Sequence, residues 1–375
     1  MMANSYLDVP LTKIAFDEDE INELRNVFSS GWVAGQGPAS DRFARAVEES
    51  LNVKHALPLN NCTAGLHLAL ISLGVGSGDE VIVSDYTYPA TGHAVAYTGA
   101  TPIFADVERD TFNTTAEEIE RLITPRTKAV IVVHTFGNPC DMDAILRTTK
   151  TNGLRLIEDC ACSLGASYGG RKTGTFGDVA CFSLHARKGI TTGEGGIAVT
   201  DNTDIYEMMK KYSCFGVESA YSRQTQGGLV VPEFSALGFN YKMSDICAGI
   251  GVAQLRKLPL LAKQRKELAE RYRSRLDGLA LTPQKILAKG ESALQAFVCL
   301  TEARDELVNF LRASGVQAQI GTFSSFVQPV YKSEQSCPIS LDVFKKSIAL
   351  PFFPGLSERE EDFIFQKIRE FFDAK

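Results

Sequence analysis

Between about residues 55 and 200, short runs of apolar and β-branched residues alternate with longer stretches in which apolar residues recur at helical spacing. The short runs predict strands at 81–83, 102–105, 129–134, 154–158, 179–184 and 197–200. The longer stretches predict helices at 63–73, 90–98, 116–123 and 142–151. Strands that alternate with helices of this length indicate an α/β fold with a mostly parallel sheet flanked by helices.

The pattern changes after Asn240. Charge-rich helical sequence continues to about residue 277, and a weaker mixture of short strands and helices follows, ending with a helix at 358–372. A chain of 375 residues is also longer than one hydrophobic core usually serves. We therefore predict a large α/β domain at 1–250 and a small C-terminal α/β domain at 251–375.

Charge and apolar content exclude several classes of protein. With 39 Lys and Arg against 45 Asp and Glu, the net charge is −6, so we expect no nucleic-acid partner, because binding to phosphate backbones needs a clustered basic surface. No stretch approaches the roughly 18 uninterrupted apolar residues of a membrane span, and residues 1–10 lack the basic and apolar regions of a secretory signal. These features predict a cytoplasmic protein that does not bind a membrane.

The cysteines bear on both the compartment and metal binding. Their number is nine and they are scattered, which favours free thiols in the cytoplasm over a disulfide framework. Cys160 and Cys162 could join His185 at a metal. However, a single Cys-x-Cys lacks the paired spacing of a zinc site, so no metal is predicted.

A polar, glycine-rich turn at 185–196 presents Lys188 directly after the apolar strand predicted at 179–184. Functional residues of open α/β sheets lie at strand ends of this kind. A partly desolvated lysine there has a lowered pKa, which makes its amine a nucleophile toward an aldehyde. Alternatively, Lys188 and Arg187 are charges of an exposed loop, and this segment alone does not decide between the two interpretations.

Two carboxylates, Glu158 and Asp159, end the strand predicted at 154–158. The aldehyde cofactor pyridoxal 5′-phosphate (PLP) withdraws electrons only while its ring nitrogen is protonated, and a neighbouring carboxylate maintains that proton. We assign this role to Asp159, because the cofactor-facing group should lie at the C-terminal end of the strand. An acid at this position could equally cap the next helix.

The start of the helix predicted at 63–73 is a candidate phosphate site. A helix N-terminus offers free backbone N–H groups and a partial positive charge, and the Thr63 hydroxyl adds a donor. Ser183, close to Lys188 in the chain, is a second candidate ligand. An ordinary helix cap remains the alternative for this segment.

Two tyrosines follow the strand predicted at 81–83, and either ring could stack on the face of a cofactor. Tyr88 is the better candidate than Tyr86, because the strand ends at Asp85 and Pro89 begins the next helix. The candidate phosphate site, the aromatic ring, the acid and the lysine thus lie at the ends of successive strands of one predicted sheet.

The whole chain resembles the sugar aminotransferase family typified by the DegT, DnrJ, EryC and StrS proteins, which are PLP-dependent enzymes of fold type I. The most specific motif is Ser183-x-His185-x-x-Lys188, followed by TTGEGG at 191–196. Further matching motifs are SGW at 30–32, GP at 37–38, GDEVIV at 78–83, GATP at 99–102, IED at 157–159, GFNYKMSD at 238–245 and LPFFPGL at 350–356.

The resemblance implies a role for each candidate residue. Lys188 would hold PLP as a Schiff base, the internal aldimine, and then shuttle a proton between the donor and the cofactor. Asp159 would pair with the ring nitrogen and Tyr88 would stack on the ring. The full implied set of cofactor-binding residues is Cys62, Thr63, Ala64, Tyr88, Asp159, Cys162, Ser183, Lys188 and Asn240.

The resemblance also implies partners and a reaction. Asn240 matches an asparagine that reaches the phosphate across a dimer interface, so a homodimer with shared active sites is expected. The expected reaction moves an amino group from an amino acid, commonly L-glutamate, to a keto group of a nucleotide-linked sugar. The expected small-molecule partners are therefore an amino donor and a keto-sugar nucleotide.

Four departures from the family pattern stand out. Cys162 replaces a glutamine near the ring hydroxyl of PLP, and a thiol is a weaker hydrogen-bond partner than an amide. Cys62 replaces a glycine, which is tolerated only if its backbone angles suit a residue with a Cβ atom. Lys242 replaces an arginine, and the segment at 320–326 lacks the His-Tyr-x-Pro-x-His motif of many sugar-nucleotide members.

Other functions fit the sequence less well. Transamination of a non-nucleotide cyclic ketone, such as an aminocyclitol or aminobenzoate precursor, is the main alternative. Related sugar dehydratases carry histidine in place of Lys188, which disfavours that reaction. A catalytically silent protein should have lost Lys188 or Asp159, and an oxidoreductase on a dinucleotide fold would need Gly-x-Gly-x-x-Gly, which the sequence at 60–65 does not supply.

Overall fold

The computed structural model describes residues 7–217, 231–331 and 333–374. Its helices are α1 (Glu18–Ser30), α2 (Pro38–Leu51), α3 (Cys62–Ser72), α4 (Ala90–Tyr97), α5 (Ala116–Leu122), α6 (Met142–Thr151), α7 (Thr203–Ser213), α8 (Asp245–Ser274), α9 (Arg304–Ala313), α10 (Pro338–Lys346) and α11 (Glu358–Asp373). The helices predicted between residues 63 and 151, and the closing helix, are confirmed within two residues of their predicted bounds.

The strands of the large sheet are β1 (His55–Leu59), β2 (Glu80–Ser84), β4 (Thr101–Ala105), β5 (Thr127–Val133), β6 (Arg155–Asp159), β9 (Val179–Ser183) and β10 (Gly196–Thr200). The shorter or C-terminal strands are β3 (Tyr86–Thr87), β7 (Ser167–Tyr168), β8 (Arg171–Lys172), β11 (Thr282–Pro283), β12 (Gly290–Glu291), β13 (Phe297–Leu300), β14 (Gln319–Ile320), β15 (Phe323–Ser324) and β16 (Ser347–Leu350). All six strands that the apolar runs predicted are present within two residues of their predicted bounds.

Local sequence signals explain where several helices begin and end. Asp17 caps α1 and Ser357 caps α11, each in a reciprocal capping box with the glutamate three residues later. Ser244 caps the long helix α8 by accepting a hydrogen bond from the backbone N–H of Cys247. After α6, Gly153 has a φ of +65°, a left-handed conformation that glycine adopts without strain.

The large sheet has the strand order β1-β10-β9-β6-β5-β2-β4. The four pairings from β9 to β4 are parallel, whereas β10 pairs antiparallel with both β9 and β1. Apolar residues of β2, β5 and β6 are buried on both faces, under α3 and α4 on one side and under α5 and α6 on the other. The predicted mostly parallel sheet flanked by helices is therefore confirmed, and the antiparallel pairings of β10 are an addition that the sequence did not predict.

A second, smaller sheet has the order β11-β13-β16-β14, and its core includes apolar residues of α9, α11 and the C-terminal half of α8. The predicted domain boundary near residue 250 falls inside α8, whose N-terminal half packs on α1 and α2. The division at residue 250 stays a prediction. Among residues 7–217, 231–331 and 333–374, no helix combines the length and apolar character that crossing a membrane requires.

Candidate active site

The strand register brings the predicted site residues to one edge of the large sheet. Asp159, the last residue of β6, lies opposite Cys181 in β9, and Ser183 ends β9 two residues later. Ser183 lies opposite Gly196, which in turn lies opposite Leu59 at the end of β1. Helix α3 begins three residues after Leu59. Asp159, the turn that contains Lys188 and the start of α3 therefore lie together, because these strands end at the same edge of the sheet.

Lys188 is half-buried, and its Nζ donates a hydrogen bond to Cys162 Sγ at 3.1 Å. We expected a lowered Lys188 pKa, and this expectation is wrong. Burial lowers the pKa of Lys188, but the neighbouring side chains of Cys162, Asp159 and Cys62 favour the ammonium form more strongly and raise it above its ordinary value. Local burial alone was therefore a poor guide to the charge of this amine.

Asp159 is almost fully buried, with 4% of its surface exposed, and each carboxylate oxygen accepts one hydrogen bond. The Thr91 hydroxyl donates to Oδ2 at 2.7 Å, and the backbone N–H of Ala161 donates to Oδ1 at 3.0 Å. Burial raises the pKa of Asp159, while these donors and the nearby Lys188 act in the opposite direction. Thr91 was not singled out from the sequence, and nothing in its local pattern indicated this contact.

The adjacent Glu158 has a different set of contacts. Its two oxygens accept hydrogen bonds from the backbone N–H groups of Gly174, Phe176 and Gly177 at 2.7–2.8 Å. The imidazole of His134, itself fully buried, lies 3.0 Å from Glu158 Oε2. Glu158 therefore holds the loop before β9 in place, and Asp159 is the carboxylate of this pair that lies close to Lys188.

The start of α3 leaves donors unused. Asn61 caps the helix by accepting a hydrogen bond from the Ala64 N–H at 2.8 Å. The N–H groups of Cys62 and Thr63 and the Thr63 hydroxyl have no hydrogen-bond partner within the described part of the chain. Cys62 is not among the described residues with positive φ, so its Cβ atom is accommodated. Free donors at a helix N-terminus suit a phosphate group.

Gly196 brings β10 close to the start of α3. A Cβ atom on Gly196 would lie 2.4 Å from the carbonyl carbon of Asn61 and 2.5 Å from the nitrogen of Cys62, so only glycine fits there. Ser183, the β9 neighbour of Gly196, is half-buried, and its hydroxyl accepts from the His185 N–H at 3.3 Å. The Ser183 hydroxyl proton is thus available to a ligand beside the helix start.

The two tyrosines after β2 have opposite environments. Tyr86 is fully buried and donates a hydrogen bond to Ser347 Oγ at 2.7 Å. Tyr88 is 67% exposed and meets the ring of Phe323 edge to face, with the centroids 6.1 Å apart. Only Tyr88 therefore has a ring face available for stacking. Phe323 was not predicted, and it belongs to the 320–326 segment that departs from the family pattern.

The side chain of Asn240 is exposed, and Asn240 is distant from the Lys188 turn along the chain. Its Oδ1 accepts a hydrogen bond from Lys242 Nζ at 2.7 Å, and the same ammonium group lies 4.3 Å from the centroid of the Phe215 ring. An open cavity of about 830 Å³ adjoins this region. Exposed apolar side chains line it, among them Phe215, Val231 and Phe234.

These residues fit PLP. Cys62, Thr63 and Ser183 offer unused donors for a phosphate, the buried Asp159 offers a carboxylate for a ring nitrogen, and Lys188 offers an amine for an aldehyde carbon. Thr63, Ala64, Asp159, Cys162, Ser183 and Lys188 all belong to the edge of the sheet where β1, β6 and β9 end.

Comparison with known proteins gives a consistent result. The model of the DegT/DnrJ/EryC1/StrS aminotransferase family matches residues 15–369. GDP-perosamine synthase of Escherichia coli O157:H7 is 34% identical over 370 residues, covering 98% of this chain and 99% of the relative. The crystal structure of the aminotransferase TlmJ from Streptoalloteichus hindustanus superposes with a TM-score of 0.92 at 30% identity, covering 98% of this chain and 99% of that one. The PLP form of Spr1654 from Streptococcus pneumoniae superposes with a TM-score of 0.91 at 27% identity, covering 98% and 99% of the two chains.

Proposed function

Since the chain belongs to the DegT/DnrJ/EryC1/StrS aminotransferase family, a family of PLP-dependent enzymes, we propose that it transfers an amino group from L-glutamate to a keto group of a nucleotide-linked sugar. The observation that carries this proposal is the convergence of Lys188, Asp159 and the unused donors of α3 at one sheet edge. The name of the Escherichia coli relative, GDP-perosamine synthase, supports a nucleotide-linked acceptor.

PLP, when bound, supplies an aldehyde carbon and an electron-withdrawing ring. In our proposal Lys188 holds the cofactor through Nζ and moves a proton at the α-carbon of the amino donor. Asp159 holds the proton on the ring nitrogen, because a buried carboxylate favours a neighbouring positive charge. Cys162, which contacts Lys188 Nζ, is placed to exchange a proton with that amine before the cofactor binds.

The remaining candidate residues bind and orient the cofactor. The N–H groups of Cys62 and Thr63, with the hydroxyls of Thr63 and Ser183, hold the phosphate in this proposal. Ala64 contributes through its position in the first turn, although its N–H is already donated to Asn61. Tyr88 covers one face of the ring, since its own ring is exposed at the same edge.

We further propose that two copies of the chain form a homodimer with shared active sites. Asn240 is exposed beside a cavity rimmed by exposed apolar side chains, including Phe215, Val231 and Phe234. Exposed apolar surface of this kind marks association sites. A second copy covering it would bring Asn240 of one subunit to the phosphate site of the other.

The reaction is tested by the visible absorption of the purified protein with PLP. We expect a band from the lysine-bound cofactor that is lost when L-glutamate is added and returns when a keto acid is added, because the amino group then moves onto and off the cofactor. D-glutamate serves as the control. A bound-cofactor band that ignores L-glutamate but responds to another amino acid would contradict the proposed donor. A band that responds to no amino acid would contradict transamination.

Site sharing is tested by mixing Asn240→Ala, which we expect to retain the cofactor poorly and to be nearly inactive at low PLP concentration, with the inactive Lys188→Ala, and isolating the mixed dimers. In a mixed dimer, one site combines an intact Lys188 with an intact Asn240 only if these residues come from different subunits. We then expect about half of the wild-type activity per mixed dimer, since one of its two sites is whole. Asn152→Ala, an exposed asparagine at the end of α6, is the matched single-variant control and should keep full activity. Isolated mixed dimers without any recovered activity would rule out sharing.

A further inference from the structure

The hydroxyl of Thr91 lies among three oxygen atoms. Asp159 Oδ2 is 2.7 Å away, Thr87 Oγ1 is 3.1 Å away and the carbonyl oxygen of Tyr88 is 3.3 Å away. Thr91 is 1% exposed and lies in the first turn of α4, and Thr87 in β3 is 3% exposed. These groups form a buried chain that ends on the carboxylate of Asp159.

The direction of the hydrogen bonds in this chain follows from the acceptors. Thr91 has one hydroxyl proton, and an ionised carboxylate at the shortest distance is the strongest acceptor for it. Thr87 then donates to Thr91 Oγ1, which makes the Thr91 proton a better donor, because consecutive hydrogen bonds polarise one another. Only two donors reach the carboxylate of Asp159 within the described residues, the Thr91 hydroxyl and the Ala161 N–H.

Asp159 needs such a donor because it is buried. Burial raises the pKa of Asp159 and so favours the neutral acid, and the hydrogen bonds from Thr91 and Ala161 oppose this effect. A neutral acid cannot stabilise a proton on the ring nitrogen of PLP. The Thr91 contact also fixes Oδ2 in one place, whereas Oδ1 is fixed by the backbone.

We propose that Thr91 is a positioning residue whose hydroxyl keeps the Asp159 carboxylate ionised and aimed at the ring nitrogen of PLP. This inference rests on the proposed function, since it assigns to Thr91 a role in holding the same cofactor. Thr91 acts through Asp159 and does not itself contact the reacting atoms. Its removal should therefore weaken only those interactions of PLP that depend on the ring nitrogen.

The test compares two ligands on the cofactor-free full-length protein: PLP, and its 1-deaza analogue, in which a C–H group replaces the ring nitrogen. For Thr91→Val we expect the dissociation constant of PLP to rise by about tenfold or more, the range for a hydrogen bond to a charged group. The dissociation constant of the 1-deaza analogue should stay unchanged. Thr91→Ser, which keeps the hydroxyl, should restore PLP binding.

A buried threonine elsewhere provides the matched control. The Thr149 hydroxyl donates to the carbonyl oxygen of Ile145 within α6, so Thr149→Val removes a comparable buried hydroxyl far from Asp159. It should leave both dissociation constants unchanged. If Thr91→Val does not fold, Thr91→Ala is measured in the same way.

Each other outcome overturns the inference. Equal weakening of PLP and its 1-deaza analogue by Thr91→Val would mean that Thr91 only supports the fold of α4. Unchanged binding of both ligands would mean that Asp159 does not depend on Thr91. A wild-type protein that binds neither ligand would instead contradict the proposed function itself, so the two failures are distinguishable.

Discussion

Replacement of Lys188 by alanine is expected to abolish multiple-turnover transamination, lowering kcat by roughly 10⁴-fold or more, because in the proposed mechanism one residue supplies both the covalent attachment and the proton transfer. The ammonium group of Lys188 interacts electrostatically with Asp159, and its contact with Cys162 holds it inside the site. PLP should still bind to the variant through its phosphate and ring contacts.

Two measurements check this result. Steady-state assays with L-glutamate give the loss in kcat, and borohydride reduction of the wild-type protein with PLP, followed by peptide mapping, should fix the cofactor to the peptide that contains Lys188. Lys150→Ala, which removes an exposed lysine of α6, is the control and should retain full activity. Sustained turnover by Lys188→Ala, or attachment of the cofactor to a different lysine, would show that Lys188 has been assigned wrongly.

The sequence was sufficient to predict the strands and helices that position Lys188. Strands such as β5 and β9 are buried on both faces, so their sequences are nearly continuous apolar runs that a local pattern reveals. The end of such a run and the start of a polar turn mark a strand end, and the candidate site residues lie at the strand ends of one sheet. Strand direction was less accessible, because the apolar runs of β1 and β10 look the same whether they pair parallel or antiparallel.

Contacts between distant segments were not accessible from local patterns. Thr91 and Asp159 are far apart in the chain, and so are Tyr88 and Phe323, yet each pair meets across the site. Asp85 likewise anchors the segment after β14 by accepting hydrogen bonds from Ser324 and from the Phe326 N–H, both at 2.6 Å. Such pairs depend on which strands become neighbours, and a single sequence contains no direct signal for that.

The charge of Lys188 illustrates the same difficulty for electrostatics. The sequence indicated desolvation, which alone lowers the pKa of a lysine. The structure adds Cys162 and Asp159 from the segment around the end of β6, and their combined influence raises the pKa of Lys188 instead. A pKa depends on every group within a few ångströms, so a site assembled from several strands cannot be judged from one of them. The amine must therefore lose a proton before it can act as a nucleophile.

Replacement of Asp159 by asparagine is expected to lower kcat by roughly 10²–10³-fold, the loss typical of removing one preorganised electrostatic contact. The amide oxygen can accept from the Ala161 N–H, and the amide NH₂ group can donate to the Thr91 hydroxyl, which then donates to the Tyr88 carbonyl oxygen 3.3 Å away. Both buried partners therefore stay satisfied, but the amide carries no charge to hold a proton on the ring nitrogen. The stability of the fold should be unchanged or slightly increased, since a buried acid with a raised pKa has been neutralised. Steady-state kinetics and thermal unfolding of the same preparation measure both effects.

The adjacent carboxylate provides the contrast that makes this result specific. Glu158 accepts hydrogen bonds from three backbone N–H groups, so in Glu158→Gln one of these donors faces the amide NH₂ group. We expect the free energy of unfolding to fall by about 2–3 kcal/mol, the penalty for an unsatisfied buried donor, with a smaller loss of kcat in the protein that remains folded. The two neighbouring acids would then have distinct roles, with Asp159 affecting turnover and Glu158 affecting the stability of the fold. If Glu158→Gln lowered kcat as much as Asp159→Asn while the fold remained equally stable, the assignment of the ring-nitrogen contact to Asp159 would be wrong.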